Sequence, residues 1–564
     1  MILNLFSKKI NYKIIELKET SLLCLIIFLS LISIILEGLS ISTIPLFFKS
    51  LFTDLEINNT LINSLLKYSG EIFSNNITNV FLFVIFLFFF KGIFSFFLIT
   101  IEFIFLKRLR LKISNILIEK FINSDLMNNY KESSATKIWK IELVNNFSYT
   151  ILNLISFIKN SLYLFIILFS IVYFSSINFA IFFIIILLLI IIFYNLFKKK
   201  IVNTGKNISI LTESKNNIIQ NIFEGIKTIL IFQKKIFFKN LFKDITVKIE
   251  KNQQTSNYIS AFTLVFLDFF AILIIFFYYK LFLTENSSEY IVYNLGLISY
   301  GLMRVTSILK ILNQSFYNMK RNSYSINILL KELDENKLTI RSKFSQFYEK
   351  NNNKNIIEID NLRFNYNFKK TIFDELSFNF KRNYFYGIFG ESGSGKSTLL
   401  DLIAGINHFN KGKINVYCSR KKVSYVPQEC FIMEENIKNS IAFGEHENQI
   451  NLNRIQESIE KSQLSSFINK LPNGINFQLN KNGNNISVGQ KQRIGIARSL
   501  YISSGLLIMD EPTSALDNKT EIDFFKMLKN IKKDVTVIMT THKLSLKKFF
   551  DTSLIIKNKK ISKF

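Results

Sequence analysis

The chain has 564 residues, 49% of them hydrophobic, with a mean hydropathy of +0.24. That length argues against a single domain of ordinary size, and the hydropathy is high for a soluble protein. A formal charge of +28 would suit a nucleic-acid binder. However, Lys, Asn, Ile and Phe dominate throughout and much of the charge flanks apolar runs, where it sets topology; no nucleic acid is expected as a partner. Cys24, Cys418 and Cys430 have neither metal nor redox spacing, so no disulfide framework is implied.

The first element follows basic residues, as in a signal peptide, but its apolar run from Leu22 to Phe48 is too long for a signal and has no cleavage site. It reads as the first of six spans, at about 21–48, 79–106, 151–174, 178–197, 260–283 and 291–315, each near the roughly 20 apolar residues that a membrane helix needs. Between the first two, Leu61, Ile62, Leu65, Leu66, Ile72 and Phe73 recur at helical spacing and predict a short interfacial helix. Only Ser175, Ser176 and Ile177 separate spans three and four, a tight hairpin. The sixth span is the most polar, with Arg304 and Lys310 inside it.

Loop charge orients the chain, because Lys and Arg stay on the cytoplasmic side. Segment 107–150 carries eight basic residues and segment 198–259 carries twelve, whereas 175–177 has none and 284–290 has only Glu285 and Glu289 as charges. Both termini are therefore expected in the cytoplasm. The two basic segments have helical pattern and few breakers. At 1.5 Å per residue, some twenty residues out and twenty back carry helices about 30 Å beyond the bilayer, with turns near Ser124–Ser134 and Ile222–Phe232.

From Asn355 the pattern changes to strand-like alternation through Ile357, Ile359, Leu362 and Phe364 to Tyr366. Further apolar runs at Tyr384–Phe389, Val423–Val426, Leu506–Met509 and Val535–Met539 predict an α/β domain with a largely parallel sheet. The organisation is then a cytoplasmic segment 1–20, a membrane domain 21–320, a linker 321–354 and an α/β domain 355–564.

Gly390-Glu391-Ser392-Gly393-Ser394-Gly395-Lys396-Ser397-Thr398 has the P-loop pattern, placed after a strand and before a helix. Its glycines let backbone N–H groups curl around phosphates at a helix N-terminus, Lys396 reaches the β/γ-phosphates, and Ser397 offers its hydroxyl to Mg²⁺. Leu506–Met509 ends in Asp510 and Glu511, an apolar strand delivering two carboxylates. Asp510 is placed to hold Mg²⁺, and Glu511 to polarise an attacking water as general base.

Between these motifs lies Ile486-Ser487-Val488-Gly489-Gln490, followed by Lys491-Gln492-Arg493. This resembles the signature of ATP-binding cassette (ABC) ATPases, close to L-S-G-G-Q-x-Q-R. Gln428 is similar to the family's Q-loop residue, Ser514-Ala515-Leu516-Asp517 to its D-loop, and His542 to its switch histidine; His408 and His446 are read as surface residues. Tyr366 resembles the aromatic that stacks on adenine. The resemblance implies an ATP- and Mg²⁺-dependent ATPase, with Gln428 at the metal and with Ser487, Gly489 and Gln490 on the nucleotide of a facing domain. It departs from the family at Val488, where a glycine is usual.

With its six spans the chain resembles a half-transporter of the exporter type: a membrane all-α six-helix domain plus an α/β P-loop ATPase domain. One P-loop and one signature cannot complete a site alone, so the resemblance implies a homodimer, or a heterodimer with a sister chain. The expected location is a bacterial cytoplasmic (inner) membrane, with several passes. Leu36-Glu37-Gly38-Leu39-Ser40-Ile41 leading to Pro45, and Gly301-Leu302-Met303-Arg304, resemble flippases of lipid-linked oligosaccharides, though Val305 follows Arg304 where those often have Pro nearby. Intramembrane cations usually face a cavity or a partner. Lys91 and Arg304, with Lys310 as a third such cation, would line a path for a pyrophosphate-linked lipid, or else pair with Glu37, Glu102 or Asp268. A peptide or small-molecule exporter is the alternative, and an ATP-gated regulator that moves nothing is a weaker one.

Overall fold

The computed structural model describes residues 17–51, 77–124, 129, 132–174, 177–282, 288–334, 344–349, 354–366, 370–513 and 518–564. The described chain forms two compact units, the first within residues 17–334 and the second within residues 344–564. The interfacial helix expected at 61–73, the Ser175–Ser176 turn and the D-loop at 514–517 lie outside the described residues.

The first unit is built on six long helices: α1 (Leu17–Leu51), α2 (Ile77–Asn123), α3 (Ser134–Phe174), α4 (Ile177–Glu224), α5 (Lys235–Phe282) and α6 (Ser288–Arg321). Among the described residues, α1, α2, α3 and α5 contain stretches long and apolar enough to cross a membrane. α4 runs without a charged residue from Ile177 to Phe197. α2, α4 and α5 have 47, 48 and 48 residues, or about 70 Å each at 1.5 Å per residue, more than twice the roughly 30 Å of a hydrocarbon core. α2 ends one residue before Ser124, and α4 gives way to the short helical turn Ile226–Ile231 before α5.

A seventh helix, α7 (Ser323–Leu333), lies within the stretch read from sequence as linker. It buries Ile326, Leu329 and Leu330 against Leu109, Leu117, Trp139 and Leu143 of α2 and α3. At the end of α7, Glu332 bridges Lys120 (2.9 Å) and Lys140 (2.7 Å), and Lys140 also holds Glu132 (2.6 Å). A second core joins Leu164 and Ile167 of α3 to Leu267, Ile274 and Tyr278 of α5 and Leu302, Val305 and Leu309 of α6.

The second unit has two sheets. β1 (Gln346–Phe347), β2 (Asn355–Tyr366), β3 (Lys370–Lys381) and β5 (Lys411–Val416) form one, in the order β1-β5-β2-β3. The other runs β10-β9-β4-β8-β7-β6, with β4 (Phe385–Phe389), β6 (Val423–Val426), β7 (Leu506–Met509), β8 (Thr536–Thr540), β9 (Thr552–Lys557) and β10 (Lys560–Lys563). All its pairings are parallel except β9–β10. Every residue of β4, β7 and β8 is buried, which is why these strands read as unbroken apolar runs and not as alternation. The longer helices of the unit are α8 (Lys396–Ile403), α9 (Leu452–Lys461), α10 (Val488–Tyr501) and α11 (Asn518–Ile531).

Candidate functional site

The strand order places the site. β4, β8, β7 and β6 are consecutive neighbours and parallel, so the loops at their carboxyl ends open along one edge, where parallel sheets bind ligands. Those four loops carry the P-loop, His542, Asp510–Glu511 and Gln428 respectively. Motifs as much as 150 residues apart in sequence thus become side-by-side loop ends.

The P-loop turns at Gly390, Gly393 and Gly395 and enters α8 at Lys396. Gly395 has φ +100°, and a Cβ there would lie 2.6 Å from Ile372 Cγ2, so both backbone conformation and space require glycine. Lys396 is buried, 7% exposed, and donates to the carbonyls of Gly390 (2.9 Å) and Glu391 (3.2 Å). Its Nζ lies 3.7 Å from Glu511 Oε1, and His542 Nδ1 lies 3.5 Å from Glu511 Oε2. The structure therefore brings Lys396, Glu511 and His542 together. Glu391, Ser392 and Ser397 are exposed, and Ser394 Oγ is buried with no hydrogen-bond partner among the described residues.

Sequence reasoning missed Thr540. Its hydroxyl donates to Asp510 Oδ1 at 2.6 Å and accepts from the Glu511 backbone N–H at 2.9 Å. That grip holds Glu511 at φ +44°, a conformation that non-glycine residues seldom adopt outside functional sites. The signal was a threonine ending an apolar strand two residues before His542. Asp401 was missed as well: burial pushes its carboxyl up to about 6, a hydrogen bond with Tyr425 opposes the rise, and the charge of Asp510 adds to it. Asp510 thus faces Asp401 on one side and the Thr540 hydroxyl on the other, while Glu511 reaches the buried Lys396. Carboxylate and hydroxyl oxygens of this kind fit a hard divalent ion such as Mg²⁺.

Tyr366 ends β2; its hydroxyl hydrogen-bonds Thr398 Oγ1 (3.0 Å), which fastens the aromatic to the P-loop helix. Gln428 is exposed, and its carbonyl accepts from Gln492 Nε2 at 3.5 Å. Ser487, Gly489 and Gln490 start α10. Among the described residues, no hydrogen bond or ion pair joins them to the P-loop. Instead Ser487 caps α10 reciprocally with Gln490: its hydroxyl accepts from the Gln490 N–H and the Gln490 side chain accepts from the Ser487 N–H. Val488 is 54% exposed, so its side chain fills no packing space. Val488→Gly is therefore expected to change ATPase rate by less than about tenfold, or 1.4 kcal/mol of barrier; a rise of several hundredfold would show that Val488 restrains the protein. His446 is exposed, but His408, expected at the surface, is half-buried with its ring against Phe344; the β1 segment covers it.

In the first unit, Lys91 Nζ lies 5.2 Å and Arg304 Cζ 5.8 Å from the centroid of the same ring, Phe88. Arg304 also donates to the Tyr300 hydroxyl at 2.8 Å. Of the carboxylates considered as partners, Asp268 does pair with one of the three cations, Lys310 (2.6 Å), and Glu102 is held by Lys159 (3.2 Å). The side chain of Glu37 lies outside the described residues.

Residues 373–514 match the ABC transporter family. Among curated relatives, an export ATP-binding/permease protein of Rickettsia typhi is 36% identical over 40% of this chain and 42% of its own length. The multidrug resistance-like ATP-binding protein MdlA of Buchnera aphidicola is 33% identical over 50% and 48%. An ATP-dependent lipid A-core flippase of Saccharophagus degradans is 32% identical over 36% of each. The chain thus spans less than half the length of each of these relatives. The solved structure of a bacterial Atm1-family ABC exporter with ATP bound superposes with a TM-score of 0.79, at 16% identity, over 96% of this chain and 94% of that one. The fold is that of an ABC exporter, with apolar helices in the N-terminal part and an α/β P-loop domain after them.

Proposed function

We propose that the chain is an ATP-driven transporter half that works as a dimer in a bacterial cytoplasmic membrane and flips or exports a lipid-linked oligosaccharide. The observation that carries the ATPase is the convergence of Lys396, Glu511 and His542. Lys396 binds the phosphates with the backbone N–H groups of residues 390–398, and Tyr366 stacks on the base. Ser397, Asp510 and Gln428 hold Mg²⁺, which when bound offsets phosphate charge. Glu511, held by Thr540, polarises the attacking water, and His542 keeps the carboxylate oriented. Ser487, Gly489 and Gln490 complete the site of a facing copy, since their exposed helix start is open to a partner. A homodimer is the simplest assembly; a sister chain would meet the same need. Loop charge supports cytoplasmic termini.

Two features support the cargo: the cations Lys91 and Arg304 share the Phe88 ring, and one relative is named as a lipid A-core flippase. A small-molecule exporter is the second reading, favoured by the Buchnera relative's name. The test uses proteoliposomes. Lys91→Gln/Arg304→Gln should lose pyrophosphate-lipid stimulation of ATPase, whereas Lys91→Arg/Arg304→Lys should keep most of it at equal dimer yield. Full flipping by the neutral pair would remove the cation-lined path, and no stimulation of the unmutated protein by any such lipid would remove the cargo.

A further inference from the structure

The P-loop helix α8 has only eight residues, about 12 Å, with Lys396 and Ser397 on its first turn. A rod so short moves as one piece, so whatever fixes its C-terminal end also sets the position of its phosphate end. The last carbonyls of a helix need partners from outside it. Here they come partly from a distant segment. Ser345, itself buried, donates its hydroxyl to the carbonyl of Leu402, and Arg420 donates to the carbonyl of Ala404. A guanidinium at this end also complements the helix dipole.

The two contacts are locked together by Phe347. The Arg420 guanidinium lies 4.6 Å from the Phe347 ring centroid. Gly405, at φ +64°, closes the helix beneath both: a Cβ there would lie 2.8 Å from Arg420 Nη1 and 2.9 Å from Phe347 Cε2. The segment is seated by β1 pairing parallel to β5, by the Tyr348 N–H on the Val416 carbonyl (2.9 Å), and by Tyr348 stacking on Tyr417 at 5.5 Å. In sequence, 344–349 are the next described residues after Asp334, which caps α7.

We infer that residues 344–349 are a strap that positions the P-loop helix, with Ser345 and Arg420 as positioning residues for phosphate binding. The strap sets how well Lys396 and Ser397 meet the nucleotide and takes no part in bond cleavage.

The inference rests on the P-loop binding ATP, and the experiment separates the two. Nucleotide affinity, KM and kcat are measured on the full-length protein in detergent for Ser345→Ala, Ser345→Thr, Arg420→Gln and Arg420→Lys. Losing one buried hydrogen bond should weaken ATP binding about fivefold in Ser345→Ala. The rise should appear in KM, with kcat at saturating ATP within about twofold. Ser345→Thr keeps the hydroxyl and should bind normally. Arg420→Gln should resemble Ser345→Ala, with partial recovery in Arg420→Lys, which keeps the charge but not the planar stack. If Ser345→Ala is poorly folded, the Arg420 pair decides. Unchanged affinity in folded variants, or kcat falling in step with thermal stability, overturns the strap while leaving the ATPase reading intact. An unmutated protein that binds no ATP overturns both.

Discussion

Glu511→Gln is expected to bind ATP, accumulate in a nucleotide-bound state and lose turnover by roughly 10²–10⁴-fold, the usual loss on removing a general base. The expectation follows from where the carboxylate is held. Glu511 lies between Lys396 Nζ at 3.7 Å and His542 Nδ1 at 3.5 Å, with its backbone fixed by Thr540. Glutamine fills the same volume and can keep a contact to His542, but it cannot accept a proton from water. Single-turnover hydrolysis with ATP in excess separates the effect from binding. Near-normal turnover by the glutamine variant would move the base elsewhere.

Lys396→Ala should fail one step earlier. Lys396 is 7% exposed, and its Nζ lies 3.7 Å from the Glu511 carboxylate. Its charge-assisted bonds to phosphate are worth up to about 3 kcal/mol, or roughly 10²-fold in affinity. Without it the carboxylates would repel an incoming polyphosphate. Titration with a fluorescent ATP analogue should therefore show the loss in binding, whereas Glu511→Gln should show none. Equal affinity in both variants would contradict the division of roles.

The two halves of the molecule were legible to different degrees. The strands around the site could be read because β4, β7 and β8 are wholly buried and so appear as apolar runs directly before Gly390, Asp510 and His542. The helices could be located but not bounded: hydropathy marks the part in lipid, while α2 and α5 continue past it on amphipathic pattern alone. α7 and β1 were hidden in what looked like linker. α7 is stabilised by Leu329 and Leu330 packing on Trp139 and Leu143, and β1 by register with β5, both contacts remote in sequence. Thr540 and Asp401 were missed for the same reason: each works through a partner more than twenty residues away. Ser487 and Gln490 show the reverse case. Their capping box is a local device readable from S-x-x-Q spacing, and it coincides with the motif that the family resemblance assigns to nucleotide.

The most direct measurement is ATP-dependent movement of a fluorescent pyrophosphate-linked glycolipid across proteoliposomes holding the purified full-length chain alone. The account predicts movement with Mg²⁺ and ATP, none with Glu511→Gln, and a particle carrying two copies of the chain. Hydrolysis without movement of this or any other tested lipid would contradict the proposed cargo, and no hydrolysis by the unmutated chain would contradict the central claim.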